Sequence, residues 1–306
     1  MNISPIKIFS TKSFTSRAKN YNLAPLKQDT VSFSGKKVNI ENETQNVQDG
    51  YKIAKKLMKL QRSNQLNYEN IEATLQASAP IPIEIKNISE FPQQLTTVSP
   101  FVAQMLPFYD EKTLQVVNAD IYIKTCQNAK EAGDLIANTA HEYTHMLQRV
   151  QNKDYYGIAN KTKDKNEIIN IGRLSQQIYK GYENSIIRRL GENPSFVKQI
   201  RGKGFSEKEI EKLLENVPTL NEYCDNFIEN NMAKTQEGSY IIRNSKLEKE
   251  EIVSLIKNWI KTETGYEKEA YDVTLKSLEA WGKYDTVTKN SREVMRHLNS
   301  IWEKSL

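Results

Sequence analysis

The segment His141-Glu142-Tyr143-Thr144-His145 constrains this chain more than any other feature. It contains two of the three histidines of the whole protein, four positions apart, and a glutamate follows the first. On an α-helix this spacing places both imidazoles on one face about one turn apart, where they can bind the same metal ion. The sequence therefore predicts a zinc site formed by His141 and His145, with Glu142 beside the metal.

The residues around this motif predict one amphipathic helix over 128–152. Its apolar side chains recur at helical spacing along one stripe, namely Leu135, Ile136, Thr139, Tyr143, Met146, Leu147 and Val150. His141 and His145 lie nearly opposite this stripe, together with Asp134 and Gln148. Histidines that fill a core would lie within the stripe, so we expect these two to face a cleft or solvent. The alternative is a coincidental pair of surface histidines.

A third protein ligand has to come from elsewhere, because catalytic zinc normally has three protein ligands and a water. Glu267 is the first candidate, since it lies at the centre of the apolar face of a helix predicted over 266–282, whereas Glu269 points away. A carboxylate buried without a partner is costly, and a metal cation opposite it removes that cost. Glu183, on the flank of another apolar helical face, is the rival ligand, and Asp154 is a weaker option.

The motif and its surroundings resemble the zincin metallopeptidases. Residues 119–124 have the alternation and β-branched content of a strand, and the H-E-x-x-H helix follows them. The string that begins at Glu267 (E-K-E-A-Y) is similar to the second motif of zincins with a glutamate ligand, the gluzincins. The metzincin pattern is excluded, because Gln148 and Gln151 occupy the positions where it requires glycine and histidine.

This resemblance implies a zinc-dependent metallopeptidase that acts on a peptide or protein substrate. It implies that His141, His145 and Glu267 bind Zn²⁺, and that Glu142 is the general base that activates a water. It also implies that the strand at 119–124 lies along the edge of the substrate cleft. A plain internal strand is the alternative for that segment.

The group that would stabilise the oxyanion of the reaction remains open in the sequence. Tyr271 is the first candidate, and it stands where many gluzincins have an aspartate that supports a histidine ligand. Tyr266 and His297 are the other candidates for the oxyanion. His297 stands alone on a C-terminal helix, which favours a packing or surface role for it. Gln148 would line the site or be a solvated helix residue.

The periodicity along the chain predicts a mostly helical α+β fold. We expect a small N-terminal mixed sheet, an active-site helix that carries the H-E-x-x-H motif, and a helical C-terminal half. Strands are predicted at 81–88, 101–109 and 114–124, and helices at 49–62, 68–78, 128–152, 166–190, after Ser206, and at 218–231, 247–262, 266–282 and 291–304.

The domain organisation follows from the same pattern. Residues 1–47 are polar and predict a disordered or leader-like tail, and residues 48–306 predict a zincin-like metallopeptidase domain. A helical insertion at about 155–262 would separate the two motifs. The helix at 49–62 is rich in lysine, so it either contacts an anionic partner or, more simply, packs its apolar stripe on the sheet with its lysines in water.

Composition excludes several classes of function. The net charge is +5 and 26% of the residues are charged, which does not match the dense basic surface of a nucleic-acid-binding protein. The sequence has no apolar run long enough to span a membrane and no recognisable secretory signal, so we expect a soluble protein, cytoplasmic or exported by another route. The two cysteines, Cys126 and Cys224, predict reduced packing residues rather than ligands.

Two other functions are compatible with these residues. The protein could be a non-catalytic metal-binding or interaction protein on a zincin-like scaffold. It could also be a helical adaptor in which the H-E-x-x-H motif is fortuitous.

Overall fold

The fold is mostly helical, with one small sheet. The computed structural model describes residues 38–91, 103–124, 129–232, 245–282 and 285–306. Within these ranges the helices are α1 (Gln45–Arg62), α2 (Tyr68–Gln76), α3 (Ala129–Gln151), α4 (Lys165–Glu192), α5 (Pro194–Ile200), α6 (Glu207–Leu214), α7 (Leu220–Met232), α8 (Lys249–Trp281) and α9 (Thr286–Ser305). The predicted α+β class is confirmed.

The sheet is mixed and has its third strand in the middle. Its strands are β1 (Ile83–Asn87), β2 (Ala103–Tyr109) and β3 (Val116–Ile123), in the order β1-β3-β2. β1 pairs with β3 in parallel, and β2 pairs with β3 in the antiparallel direction. The prediction that 119–124 lies at the edge of a cleft is therefore wrong. β3 is buried along most of its length because it has a strand on each side, as the alternative interpretation expected.

The described residues form two compact units. The first consists of Met1–Gln151 and Glu269–Asp285, and the second of Asn152–Lys268 and Thr286–Leu306. The division falls inside α8, which is continuous through it. The predicted domain limits at 47 and 48, and the predicted insertion at 155–262, remain predictions. Among the described residues, no helix has both the length and the apolarity needed to span a membrane.

In the first unit, α1 and α3 pack together and share one core with the sheet. The apolar positions of α1 are buried, among them Ile53 and Leu57. Its lysines are exposed, with Lys52 paired to Asp49 and Lys56 donating to the Ser78 hydroxyl. This confirms the simpler interpretation of the basic helix, except that its main partner is α3 rather than the sheet.

The start of α1 differs from the prediction by four residues. The helix begins at Gln45 instead of residue 49, because Thr44 caps it by accepting a hydrogen bond from the Val47 N–H. Val47 is buried, so the first turn already belongs to the core.

The second unit is all helical in its described residues. Its aromatic side chains pack together, with the ring of Tyr182 lying 5.2 Å from that of Trp302. The Tyr182 hydroxyl donates to the Pro218 carbonyl at 2.6 Å. The predicted capping box at the start of α6 is confirmed, because Ser206 and Glu209 exchange hydrogen bonds there. Cys224 is a buried free thiol whose pKa is raised to about 12 by burial, whereas Cys126 lies outside the described residues.

The two helices predicted at 247–262 and 266–282 are one helix of 33 residues, α8. The hydroxyls of Thr262 and Thr264 donate back to the carbonyls of Asn258 and Lys261, which keeps them within the helix. Gly265 therefore does not end the helix. The consequence is that Glu267 lies in the middle of a helix rather than near a helix start.

Gly50 provides a test of the packing next to the histidine helix. A Cβ atom on Gly50 would lie 2.2 Å from the Thr144 hydroxyl oxygen and 3.0 Å from a methyl group of Val273, so α1 lies very close to α3 and α8 at this point. We expect Gly50→Ala to lower the free energy of unfolding by about 1–3 kcal/mol, measured by urea denaturation followed by circular dichroism. Gly191→Ala is the control, since nothing lies within 4 Å of its Cβ position. This control should raise stability by up to about 1 kcal/mol, and equal effects of both variants would contradict the close approach.

Candidate metal centre

Helix α3 holds the side chains of His141 and His145 against each other in a buried position. Their Nε2 atoms are 3.1 Å apart and their ring centroids 4.7 Å apart. The two residues are only 8% and 9% exposed, so they are not a pair of surface histidines.

Glu267 lies with these two histidines. One potential ligand atom from each of the three residues falls within 4.8 Å of the other two, and among the described residues this is the only such group of three or more. Glu267 lies on α8, two residues before the part of that helix that belongs to the same unit as the histidines. The three residues that the sequence nominates as metal ligands are therefore brought together.

The other nominated acids and the third histidine have different partners. Glu183 forms an ion pair with Lys180 at 3.0 Å. Asp154 accepts hydrogen bonds from the Gly157 N–H and the Asn160 amide in the turn after α3. His297 lies 3.5 Å from a carboxylate oxygen of Glu207, in agreement with the packing or surface role predicted for it. None of the three belongs to the described metal-compatible group.

Thr274 fixes the protonation pattern of His141. The Thr274 hydroxyl oxygen lies 3.0 Å from His141 Nδ1 and 3.2 Å from the carbonyl oxygen of Ala270. A hydroxyl has one proton, so when it donates to the carbonyl it accepts from the ring. His141 then carries its proton on Nδ1 and keeps a lone pair on Nε2.

Gln148 has the same effect on His145. Gln148 Nε2 donates to a carboxylate oxygen of Glu269 at 2.9 Å, which turns Gln148 Oε1 towards His145 Nδ1, also at 2.9 Å. His145 therefore donates from Nδ1 and keeps its lone pair on Nε2. The prediction that Glu269 points away from the site is wrong, because its long side chain bends towards α3 and joins this network.

When both rings are neutral, the two Nε2 lone pairs face each other, and this arrangement fits a metal cation. Two neutral imidazoles with this protonation cannot hydrogen-bond to each other through Nε2, and lone pairs 3.1 Å apart repel. In a tetrahedral zinc site with Zn–N distances of 2.0–2.1 Å, two ligand nitrogens lie about 3.3 Å apart. The observed separation is thus close to the one that a shared zinc ion requires.

The side chain of Glu142 extends from the histidine helix, α3, to β2 of the sheet. Its Oε2 accepts a hydrogen bond from the Met105 N–H at 2.7 Å, and Glu142 is 7% exposed. Met105 is on β2, the strand next to β3, so a backbone amide of that strand holds the carboxylate in place. This contact could not be found from the sequence, because a backbone N–H leaves no signal in residue type.

The structure separates the tyrosine candidates. The Tyr271 ring packs edge-on against His141, with 5.0 Å between ring centroids, and the residue is buried. The Tyr266 ring instead packs against Tyr156, with a centroid distance of 6.0 Å. Tyr271 is therefore the tyrosine beside the histidines, and its chemical role remains a prediction.

No family model, curated protein or solved structure matches this chain. The resemblance to zincins accordingly depends on the two short motifs and on the geometry described above.

The protonation of His141 can be measured in the metal-free protein. We expect Thr274→Val to turn the single Nδ1–H form of His141 into a mixture of forms, because the ring loses its acceptor. Imidazole ¹⁵N chemical shifts report the form directly, and three histidines are easily assigned. Thr139→Val is the matched control, since its buried hydroxyl bonds only the Leu135 carbonyl. If His141 stays entirely in the Nδ1–H form in Thr274→Val, Thr274 is not its acceptor.

Proposed function

We propose that this protein is a zinc-dependent metallopeptidase in which His141, His145 and Glu267 hold the metal. One observation carries the proposal: the Nε2 atoms of two buried imidazoles lie 3.1 Å apart, and a carboxylate oxygen of Glu267 lies within 4.8 Å of one nitrogen of each ring. Two neutral imidazoles and a carboxylate would repel one another in a site that excludes most water, and a metal cation held between them removes that repulsion.

The donor set favours zinc over other common metals. Two imidazole nitrogens and one carboxylate oxygen form the ligand set of catalytic His₂Glu zinc sites. Calcium and magnesium prefer oxygen ligands, so two nitrogen donors disfavour both. Three protein ligands also leave a coordination position for water or substrate, which a purely structural zinc site does not do.

The neighbouring residues support a hydrolytic mechanism. Zinc held at this position would supply Lewis acidity, by lowering the pKa of water and polarising a carbonyl group. Glu142, the residue after the first ligand, would accept a proton from the attacking water and later donate it to the leaving amine. The Met105 N–H occupies Oε2 of Glu142, so Oε1 is the oxygen that takes the proton.

The substrate would be a peptide in extended conformation. β3 is internal, so the peptide would add to the outer side of β2, where its backbone would compete with Glu142 for the Met105 N–H. The buried Tyr271, packed on His141, is the candidate that would donate a hydrogen bond to the oxyanion as the carbonyl is attacked.

Metal content tests the ligand assignment. We expect about one zinc ion per chain in the purified wild type, and a loss of nearly all of it in His145→Ala and in Glu267→Ala, because each removes one of three ligands. Glu183→Ala is the control and should keep its zinc. Elemental analysis after extensive dialysis gives the result. If Glu183→Ala loses the metal while Glu267→Ala keeps it, the third ligand is assigned wrongly.

Replacing the proposed base separates an enzyme from a metal-binding scaffold. Glu142→Gln can still accept from the Met105 N–H but cannot take a proton, so we expect zinc to be retained and hydrolysis to fall by at least about 100-fold. The assay measures cleavage of a denatured protein mixture by mass spectrometry. A zinc-loaded wild type that cleaves nothing, or a Glu142→Gln variant as active as the wild type, would favour the non-catalytic alternative.

A further inference from the structure

Gln148, on the same helix as His145, and Glu269, on α8, make a hydrogen-bonded connection that reaches His145. We propose that this pair positions His145 for metal binding and sets the affinity of the site for zinc, an inference that rests on the proposed function. Neither side chain belongs to the proposed ligand set or takes part in the proposed proton transfer, so both act through His145 as positioning residues.

The Glu269 carboxylate sets the direction of the hydrogen bonds made by Asn46, Gln148 and His145, because it can only accept. Gln151 donates to Asn46 Oδ1 at 2.9 Å, so the Asn46 amide nitrogen faces Glu269 and donates to its Oε2 at 3.3 Å. A carboxylate accepts only, so Gln148 must also turn its nitrogen towards Glu269. Gln148 Oε1 is then left for the Nδ1–H of His145.

Because of these directions, His145 cannot move its proton from Nδ1 to Nε2 without losing a hydrogen bond. A His145 ring with its proton on Nε2 would place a lone pair against Gln148 Oε1. Turning the Gln148 amide over to meet that lone pair would place its oxygen against the Glu269 carboxylate. Gln148 is completely buried, so water cannot replace the lost bond.

The negative charge of Glu269 strengthens the support for His145 compared with that for His141. The carboxylate polarises the Gln148 amide, which makes Oε1 a better acceptor, whereas Nδ1 of His141 lies against the neutral hydroxyl of Thr274. Hydrogen-bond partners of metal-binding histidines typically contribute 10–100-fold to metal affinity. We expect the effect on zinc affinity at His145 to lie in the upper part of that range, nearer about 100-fold than 10-fold.

The test first removes the hydrogen bonds that join Glu269, Gln148 and His145. It then restores them with the amide and the carboxylate exchanged between positions 148 and 269. Gln148→Met keeps the side-chain length but cannot accept from His145, so the zinc dissociation constant should rise by about 10–100-fold. In the double variant Gln148→Glu, Glu269→Gln, the new glutamate accepts from His145 and from the new amide. That variant should bind zinc within about threefold of the wild type, because the hydrogen bonds from His145 to residue 148 and between residues 148 and 269 are restored, while only the bond from Asn46 to residue 269 is lost. Gln176→Met, an exposed change on α4, is the control and should have no effect.

Two measurements separate this inference from the proposed function. Competition with a zinc chelator gives the dissociation constants, and imidazole ¹⁵N shifts of the metal-free variants give the protonation of His145. We expect the Nδ1–H form in the wild type and the double variant, and a mixture in Gln148→Met. If wild type binds no zinc, the proposed function fails, and the ¹⁵N shifts still decide whether Gln148 orients His145. The inference is wrong if Gln148→Met keeps the wild-type affinity or the Nδ1–H form, or if the double variant binds as weakly as Gln148→Met.

Discussion

The repulsion between two buried imidazole nitrogens is the constraint on which the rest of the site depends. Two side chains, Thr274 and Gln148, force the protons of His141 and His145 to the outer ring nitrogens. When both rings are neutral, the inner nitrogens carry lone pairs 3.1 Å apart, an arrangement that a shared metal cation stabilises. The proposed zinc site with Glu267 is built on that one arrangement.

The helices bring these groups together through close packing. α1 can approach α3 and α8 because Gly50 has no side chain at the point where Thr144 and Val273 lie. That approach carries Asn46, near the start of α1, to Glu269 on α8. The position of a histidine ring on α3 therefore depends on a glycine contact on a different helix.

Much of the site could be predicted from the sequence, because it depends on helical spacing. Two histidines four residues apart must share a helix face, and the position of Glu267 on its apolar face singled it out from Glu183 and Asp154. The fold class and the three strands followed from periodicity in the same way. The prediction was wrong where contacts between distant segments decide the outcome, as with the internal position of β3.

The bent side chain of Glu269 shows the limit of a helical wheel. The wheel fixes the direction in which Cβ leaves the helix, but a glutamate has enough further bonds to turn back towards a neighbouring helix. Its partners, Gln148 and Asn46, come from segments far away in the chain. The sequence also did not predict that 247–262 and 266–282 belong to one helix, α8. Threonines such as Thr262 and Thr264 are compatible with a helix end as well as with a helix interior.

The hydrogen bond from Met105 to Glu142 also bears on self-association. A strand with an uncovered outer edge invites pairing with other chains, and proteins commonly blunt such an edge with a charged side chain. Here an amide of β2 is already occupied by the carboxylate of Glu142. Any extended chain that adds to this edge must compete with an anion for that amide, so Glu142 would also limit indiscriminate sheet extension.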